Sequence, residues 1–153
     1  MFNICASGET LIPNGVIEYT KAILEQGHYV MIVTNGMLTK RLEEIAQFPE
    51  DYRKRLFFKI SYHYLELKRL NKFDLFFSNI ELIKKMKASF TVEVTPSDEL
   101  IPYIDEMKDI TLKHLGALPH ITVARDESKP DYPLLTKLSK EDYIKTWGQF
   151  DSM

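Results

Sequence analysis

The sequence predicts an α/β fold: a parallel sheet with helices packed outside it. Three observations carry this. Apolar strand-like runs alternate with amphipathic helical stretches five times, at a spacing of roughly thirty residues, the length of a βα unit. Several of the strand-like runs alternate apolar with polar side chains. Polar residues and turn formers gather just past each run, where parallel α/β folds hold their ligands.

The elements follow in order. Phe2 to Cys5 reads as a short strand. Pro13 to Gln26 reads as a helix, with Val16, Ile17, Ala22, Ile23 and Leu24 at helical spacing and Gly27 at its C-terminal end. His28 to Thr34 is a β-branched run typical of a buried strand, broken by Asn35-Gly36. Leu38 to Phe48 is a second helix, with Leu38, Leu42, Ile45 and Ala46 on one side and Pro49 just past its end. Leu56 to Tyr62 is the third strand, and the stretch onward to Lys87 reads as helical, in two pieces around Asn71-Lys72. Phe90 to Thr95 is the fourth strand, stopped by Pro96. Ser97 or Asp98 caps a helix running to about Leu115, ended by Gly116. His120 to Ala124 is the fifth strand, Arg125 to Leu138 is the loosest segment, and Ser139 with Asp142 resembles a capping box for a last helix that takes in Trp147 to Met153.

Repeated βα units allow two closures, a flat doubly wound sheet or a curved partial barrel. Phe90, Val92 and Val94 share one face of the fourth strand; Thr91, Glu93 and Thr95 share the other. Lys59, Ser61 and His63 alternate with Phe58, Ile60 and Tyr62, and Asn3 and Cys5 alternate with Phe2 and Ile4. A flat sheet covered on both faces reads as nearly continuous Val, Ile and Leu. The polar face suits a partial, TIM-like (β/α) barrel of about five parallel strands with outer helices and a wet interior. The alternative is that Lys59 and Glu93 neutralise each other across neighbouring strands.

The chain has 153 residues, enough for one domain with a real core, and no linker divides it. A net charge of −2 gives no electrostatic pull toward nucleic acid or anionic membrane. Its one cysteine, Cys5, excludes an internal disulfide, suits a reducing compartment and reads as a small core residue. The first residues lack the basic flank and long apolar run of a signal peptide, and no apolar stretch approaches membrane-spanning length, so a cytoplasmic location is expected.

The strand ends read Ser7-Gly8-Glu9, Thr34-Asn35-Gly36, Ser61-Tyr62-His63, Thr95-Pro96 and Arg125-Asp126. A carboxylate at Glu9 can hold an ammonium group, and Arg125 can grip a carboxylate. Ser61 and Asn35 can hydrogen-bond hydroxyls or carboxylate oxygens, and Gly8 and Gly36 let backbone approach a ligand. A zwitterionic amino acid joined to a nucleoside would satisfy this set; ordinary turn chemistry accounts for the same residues one by one. His28 and His120 open strands and read as structural, whereas His63, at a strand end between Tyr62 and Tyr64, is a candidate for facing substrate. No metal-binding histidine spacing and no phosphate loop occurs. Lys84, Lys85 and Lys87, with Lys68, Arg69 and Lys72, are interleaved with Glu66, Asp74 and Glu81 and read as a solvated helix face.

Cys5-Ala6-Ser7-Gly8-Glu9-Thr10-Leu11-Ile12-Pro13, followed by Gly27-His28-Tyr29-Val30 and Val33-Thr34-Asn35-Gly36, resembles the second and third βα units of radical S-adenosylmethionine enzymes. Lys59-Ile60-Ser61 resembles the fourth strand of that family, and Val92-Glu93-Val94-Thr95-Pro96 and Ile121-Thr122-Val123 fit the fifth and sixth. The resemblance implies a partial six-stranded barrel that binds S-adenosylmethionine. Gly8 and Glu9 would hold the methionine amino group of the cofactor, Asn35 and Ser61 would lie near its carboxylate or ribose, and Arg125 would join them. Ser7 and Thr10 depart from the family pattern, which has Gly and Pro there.

The same resemblance exposes a gap. The family's first βα unit carries three cysteines that ligate a [4Fe-4S] cluster, and clusters are held by several thiolates. Cys5 alone cannot hold one. The chain is therefore expected to be part of a longer radical enzyme, inactive alone, with the Phe2 to Cys5 strand left as an unprotected edge. A non-catalytic α/β binding or interaction module that kept the scaffold is the alternative.

Overall fold

The structure, a computed structural model, describes residues 1–150. Five strands, β1 (Phe2–Ile4), β2 (Val30–Thr34), β3 (Leu56–Ser61), β4 (Ser89–Val94) and β5 (His120–Ile121), form one parallel sheet in sequence order. Among the described residues seven α-helices accompany them: α1 (Val16–Glu25), α2 (Thr39–Ala46), α3 (Glu50–Arg53), α4 (Tyr64–Leu70), α5 (Phe73–Lys85), α6 (Ile104–Leu115) and α7 (Lys140–Trp147). Among the described residues no helix is long and apolar enough to cross a membrane. The chain divides into two compact units, one of Met1–Ser61 with Glu66–Thr91 and one of Tyr62–Leu65 with the residues from Val92 onward.

In the first unit, β2 pairs with β1 from Phe2↔Val30 to Ile4↔Ile32, and with β3 from Val30↔Leu56 to Thr34↔Ile60. Val30, Ile32, Thr34, Leu56, Phe58 and Ile60 are buried, while Met31, Val33, Phe57, Lys59 and Ser61 between them are half-buried. One face of the sheet is therefore dry and the other partly wet, as the alternation in the sequence requires. Leu24 of α1, Leu42 and Ile45 of α2, and Phe76 and Ile80 of α5 complete the core with no exposed surface. Cys5, expected in the core, is exposed. The reason is topological: β1 ends the sheet order, has one neighbour only, and stops at Ile4.

Helix α1 begins at Val16, later than expected, because Leu11 to Gly15 forms a turn. Its end is closed by Gly27 at φ +83° and by the Arg55 guanidinium, which donates to the Leu24 carbonyl at 2.7 Å and the His28 carbonyl at 2.8 Å. Pro49 does end the second helix but also starts α3, a single turn that apolar periodicity cannot reveal. The helical stretch breaks where expected, at Asn71 in the left-handed region with φ +52°. Lys84 pairs with Glu81 at 2.6 Å and Arg69 with Glu66 at 2.5 Å, the pattern of a solvated helix surface, while Lys87, past the end of α5, pairs with Glu50 of α3 at 3.3 Å.

In the second unit, Val92 and Val94 of β4 are buried with Glu93 half-buried between them, and β5 pairs as Glu93↔His120 and Val94↔Ile121. Strand β5 is shorter than the expected run to Ala124. After Thr122 donates its backbone N–H to the Val94 carbonyl at 2.9 Å, the chain leaves the sheet. The segment read as loose is an ordered antiparallel hairpin. Arg125 bridges Leu134, Asp126 N–H donates to the Pro133 carbonyl at 2.9 Å, and Leu135 N–H donates to the Ala124 carbonyl at 3.1 Å. The helix expected from Ser97 is 3-10 over Asp98–Tyr103 and becomes α6 only at Ile104; Pro102 lacks the N–H that a regular helix needs. Gly116 ends α6 at φ +72°. Ser139 caps α7 as expected, its Oγ accepting the Asp142 N–H at 3.1 Å. Tyr143, Trp147 and Phe150 are buried, and Gly148–Phe150 is a 3-10 turn where a continued helix was expected. The remainder of that expected helix, 151–153, lies outside the described residues.

Two interior contacts in the first unit are open to direct test. Asn79 is 1 % exposed; its Nδ2 donates to the Gly36 carbonyl at 2.8 Å and its Oδ1 accepts the Thr39 hydroxyl at 2.9 Å. Asn79→Ala should cost about 2–3 kcal/mol in urea unfolding, because it orphans two groups. Gly36 sits at φ +71°, and a Cβ there would meet Ile60 Cγ2 at 3.0 Å and Phe76 Cε2 at 3.4 Å. Gly36→Ala should cost about 2 kcal/mol in the same assay.

Candidate functional site

The strand-end turns of the first unit converge on one carboxylate. The chain leaves β1 through Cys5-Ala6-Ser7-Gly8 and returns to the core at Thr10 and Leu11, which are 3 % and 0 % exposed. Thr10 Oγ1 accepts the Ala6 N–H at 3.3 Å and closes the turn. Glu9 stands half-buried on this turn. Its Oε1 accepts the Leu11 N–H at 3.0 Å and the Thr34 hydroxyl at 2.7 Å; its Oε2 accepts the Asn35 N–H at 2.7 Å. Thr34 Oγ1 in turn accepts the Gly36 N–H at 3.1 Å.

A carboxylate offers about four acceptor positions. Three are filled, and one on Oε2 remains. Among the described residues no lysine, arginine or histidine forms an ion pair with Glu9. The group is thus positioned by neutral donors and pairs with no cation among the described residues.

The structure brings Glu9 and Asn35 into contact. Asn35 also spends its Oδ1 on the Met37 N–H at 2.9 Å, a local turn bond. Ser61 is the last residue of β3, one past the Thr34↔Ile60 pair, as Asn35 is the residue after β2. It is half-buried, and among the described residues its hydroxyl makes no hydrogen bond. Gly8 is exposed, and a Cβ there would meet nothing within 4 Å, so its backbone is open to a ligand. Gly36 is different: it is buried, and its geometry is a packing requirement.

Arg125 and His63 belong to the second unit. Arg125 is exposed, and its Nη1 donates to the Tyr132 carbonyl across the hairpin at 3.1 Å. His63 is exposed between two buried tyrosines, Tyr62 and Tyr64, whose rings meet edge-on at 6.0 Å. Burial pushes the Tyr62 phenol well above its usual range.

Three fastening residues carry no sequence signal of their own. Arg41 of α2 donates from Nε to the Leu11 carbonyl at 3.0 Å and from Nη2 to the Pro13 and Asn14 carbonyls at 3.0 and 3.1 Å, clamping the loop behind Glu9. Arg55 closes α1 as described. Asp98 anchors the hairpin of the second unit, accepting the Thr136 hydroxyl and, at 2.8 Å, the Lys137 N–H. The partners of Arg41 and Asp98 are mostly loop backbone roughly thirty or more positions away, which no periodicity registers.

The residues present do not fit an iron–sulfur cluster. Cys5 is the single thiol, and among the described residues no three His, Cys, Asp or Glu side chains converge on a metal position. Comparison of the chain with protein-family models, with curated proteins and with solved structures returns no match.

The Asp98 anchor has a pH signature. The Thr136 hydroxyl, and then the Lys137 N–H, hold its carboxyl below the ordinary 3.8. A folded-state pKa below the unfolded one contributes stability that is present above about pH 4 and lost as pH falls through the lowered value. The Lys137 amide resonance should therefore titrate with a midpoint below 3.8, and Asp98→Asn should abolish the transition.

Proposed function

We propose that the chain is the S-adenosylmethionine-holding part of a radical S-adenosylmethionine enzyme, folded as a partial (β/α) barrel. The observation that carries this reading is the Glu9 carboxylate, held at the ends of adjacent parallel strands by three neutral donors, with no cation among the described residues paired to it. Such a group is poised for a ligand ammonium, and the methionine moiety of the cofactor carries one. Asn35, just past the end of β2, and Ser61, the last residue of the adjacent β3, offer polar groups to its carboxylate or ribose. The open backbone at Gly8 admits close approach. Arg125 and His63 lie in the other unit, and the reading does not depend on them.

The sheet order supports the barrel. Doubly wound sheets reverse strand order at a switch point. The order β1-β2-β3-β4-β5 has no reversal, and the half-buried face of β2 and β3 fits a solvated interior. The exposed edge at β1 borders an apolar groove of about 520 Å³ lined by Phe2, Val16, Tyr19 and Ile23, where a barrel would continue its sheet. In the resembling family the bound cofactor is the source of a 5′-deoxyadenosyl radical. Generating it needs a cluster that these residues do not hold, so no radical step is assigned to them.

The lone Cys5 and the internal use of Glu9 favour a second reading, a non-catalytic α/β binding or interaction module. In it the carboxylate only staples two loops together. Titration with S-adenosylmethionine by calorimetry separates the two. The first reading expects saturable binding, weakened about tenfold or more by Glu9→Gln, which keeps an acceptor oxygen but removes the charge, with circular dichroism confirming the fold. No binding by the unmodified chain, or equal binding by the folded variant, overturns it in favour of the module.

A further inference from the structure

The second unit contains a cavity that the proposed function does not use. It measures about 780 Å³, a size typical of small-molecule sites. One wall is the hairpin that follows β5; the other is α7. Neither wall is loose. The hairpin is closed by its own backbone bonds, its turn is fixed by Asp126 on Ser128 and Lys129, and its return strand is held by Asp98. Helix α7 is capped by Ser139 and seated by the buried Trp147 and Tyr143.

Most of the lining is apolar, from Val123, Pro133, Leu134, Leu138 and Ile144. The polar groups are few and specific. Tyr143 is 3 % exposed and lines the cavity, yet its hydroxyl has no hydrogen-bond partner among the described residues. A buried hydroxyl without a partner is costly, and natural proteins rarely leave one so. Arg125 and Lys140 also line the cavity, against one acid, Asp131; among the described residues none of the three forms an ion pair. Arg125 is oriented by its bond to the Tyr132 carbonyl, which uses Nη1 and leaves Nε and Nη2 unspent. Tyr132 itself is held in the left-handed region at φ +44°, a conformation that bulky residues rarely adopt.

We infer that this cavity binds a small molecule carrying a carboxylate on an apolar body. The planar fork of Arg125 matches a carboxylate and the Lys140 ammonium adds charge; the Tyr143 O–H, unpartnered and occluded in the free chain, becomes a third donor when the side chain turns toward the bound carboxylate. The aliphatic lining takes the body of the ligand. Asp131 leaves the group one positive charge in excess, so an uncharged or cationic analogue of the same shape gains less from these side chains than a carboxylate does. The inference uses none of the residues on which the cofactor reading rests.

Hexanoate is the probe, with hexan-1-ol and hexylammonium as shape-matched controls. Binding is followed by calorimetry and by amide shifts in nitrogen-15 correlation spectra of the full chain. Hexanoate should bind about tenfold or more tightly than either control, with shifts centred on Val123, Leu134 and Ile144. Tyr143→Phe should weaken hexanoate several-fold while leaving the melting temperature unchanged or raised, since the lost hydroxyl had no partner. Arg125→Gln and Lys140→Gln should each weaken it about fivefold or more. Because Arg125→Gln also removes a hairpin bond, Lys140→Gln on the exposed helix start decides if the former fails to fold. Equal binding of hexanoate and hexan-1-ol, shifts centred elsewhere, or unchanged affinity in folded Tyr143→Phe and Lys140→Gln overturns the inference.

Discussion

The geometry of the first unit's strand ends depends on the Glu9 carboxylate. Parallel strands do not share a turn, so each leaves the sheet into its own loop, and ladder bonds fix nothing beyond the last paired residue. Here the ladder between β1 and β2 stops at Ile4↔Ile32. Beyond it, one carboxylate ties the turn after β1 to the Thr34 hydroxyl and the Asn35 N–H, 25 and 26 positions along the chain. Arg41 fastens the same loop from α2 through three carbonyls. The two devices are complementary. An acceptor-only group gathers N–H and O–H donors, a donor-only group gathers carbonyls, and the loop's backbone polarity is met from both sides.

Much of this arrangement was legible in the sequence, for identifiable reasons. The recurrence of β-branched runs and amphipathic stretches gave the order of strands and helices, because those periods follow directly from backbone geometry. Gly116 and the Ser139–Asp142 pair marked helix ends because capping chemistry is local. Glu9 and Asn35 were visible as strand-end residues, but their direct contact was not, since it joins two βα units. The hairpin after β5 was the clearest miss. Pro130, Pro133 and the charges around them have the composition of a loose loop. Its order comes from Asp98, bound to Thr136 and Lys137 at separations of 38 and 39 residues, and from the Arg125 guanidinium on the Tyr132 carbonyl. Cys5 was misplaced because burial at a sheet edge depends on how many neighbours the strand has, which alternation does not encode.

The two units leave opposite charges unanswered, and that contrast bears on what each can select. In the first, a half-buried carboxylate is surrounded by neutral donors and retains one acceptor position. In the second, two cations and an orphan hydroxyl line an apolar cavity. The chain has ample surface lysine and glutamate, and it pairs many of them along helices where the gain is small. Glu9 could have met an arginine as Glu66 and Glu44 do, yet Arg41, which clamps the same loop, spends its fork on carbonyls and Glu44. Glu9 is half-buried, whereas Arg125 and Lys140 are exposed, and a ligand of opposite sign is an ordinary partner for either kind of group. The proposed ammonium site of the first unit and the inferred anion site of the second rest on that contrast. The polar strand ends therefore divide by what their hydrogen bonds leave over: Gly36 is consumed by packing, Asn35 in part by its turn, and Glu9 keeps the one position that a ligand can use.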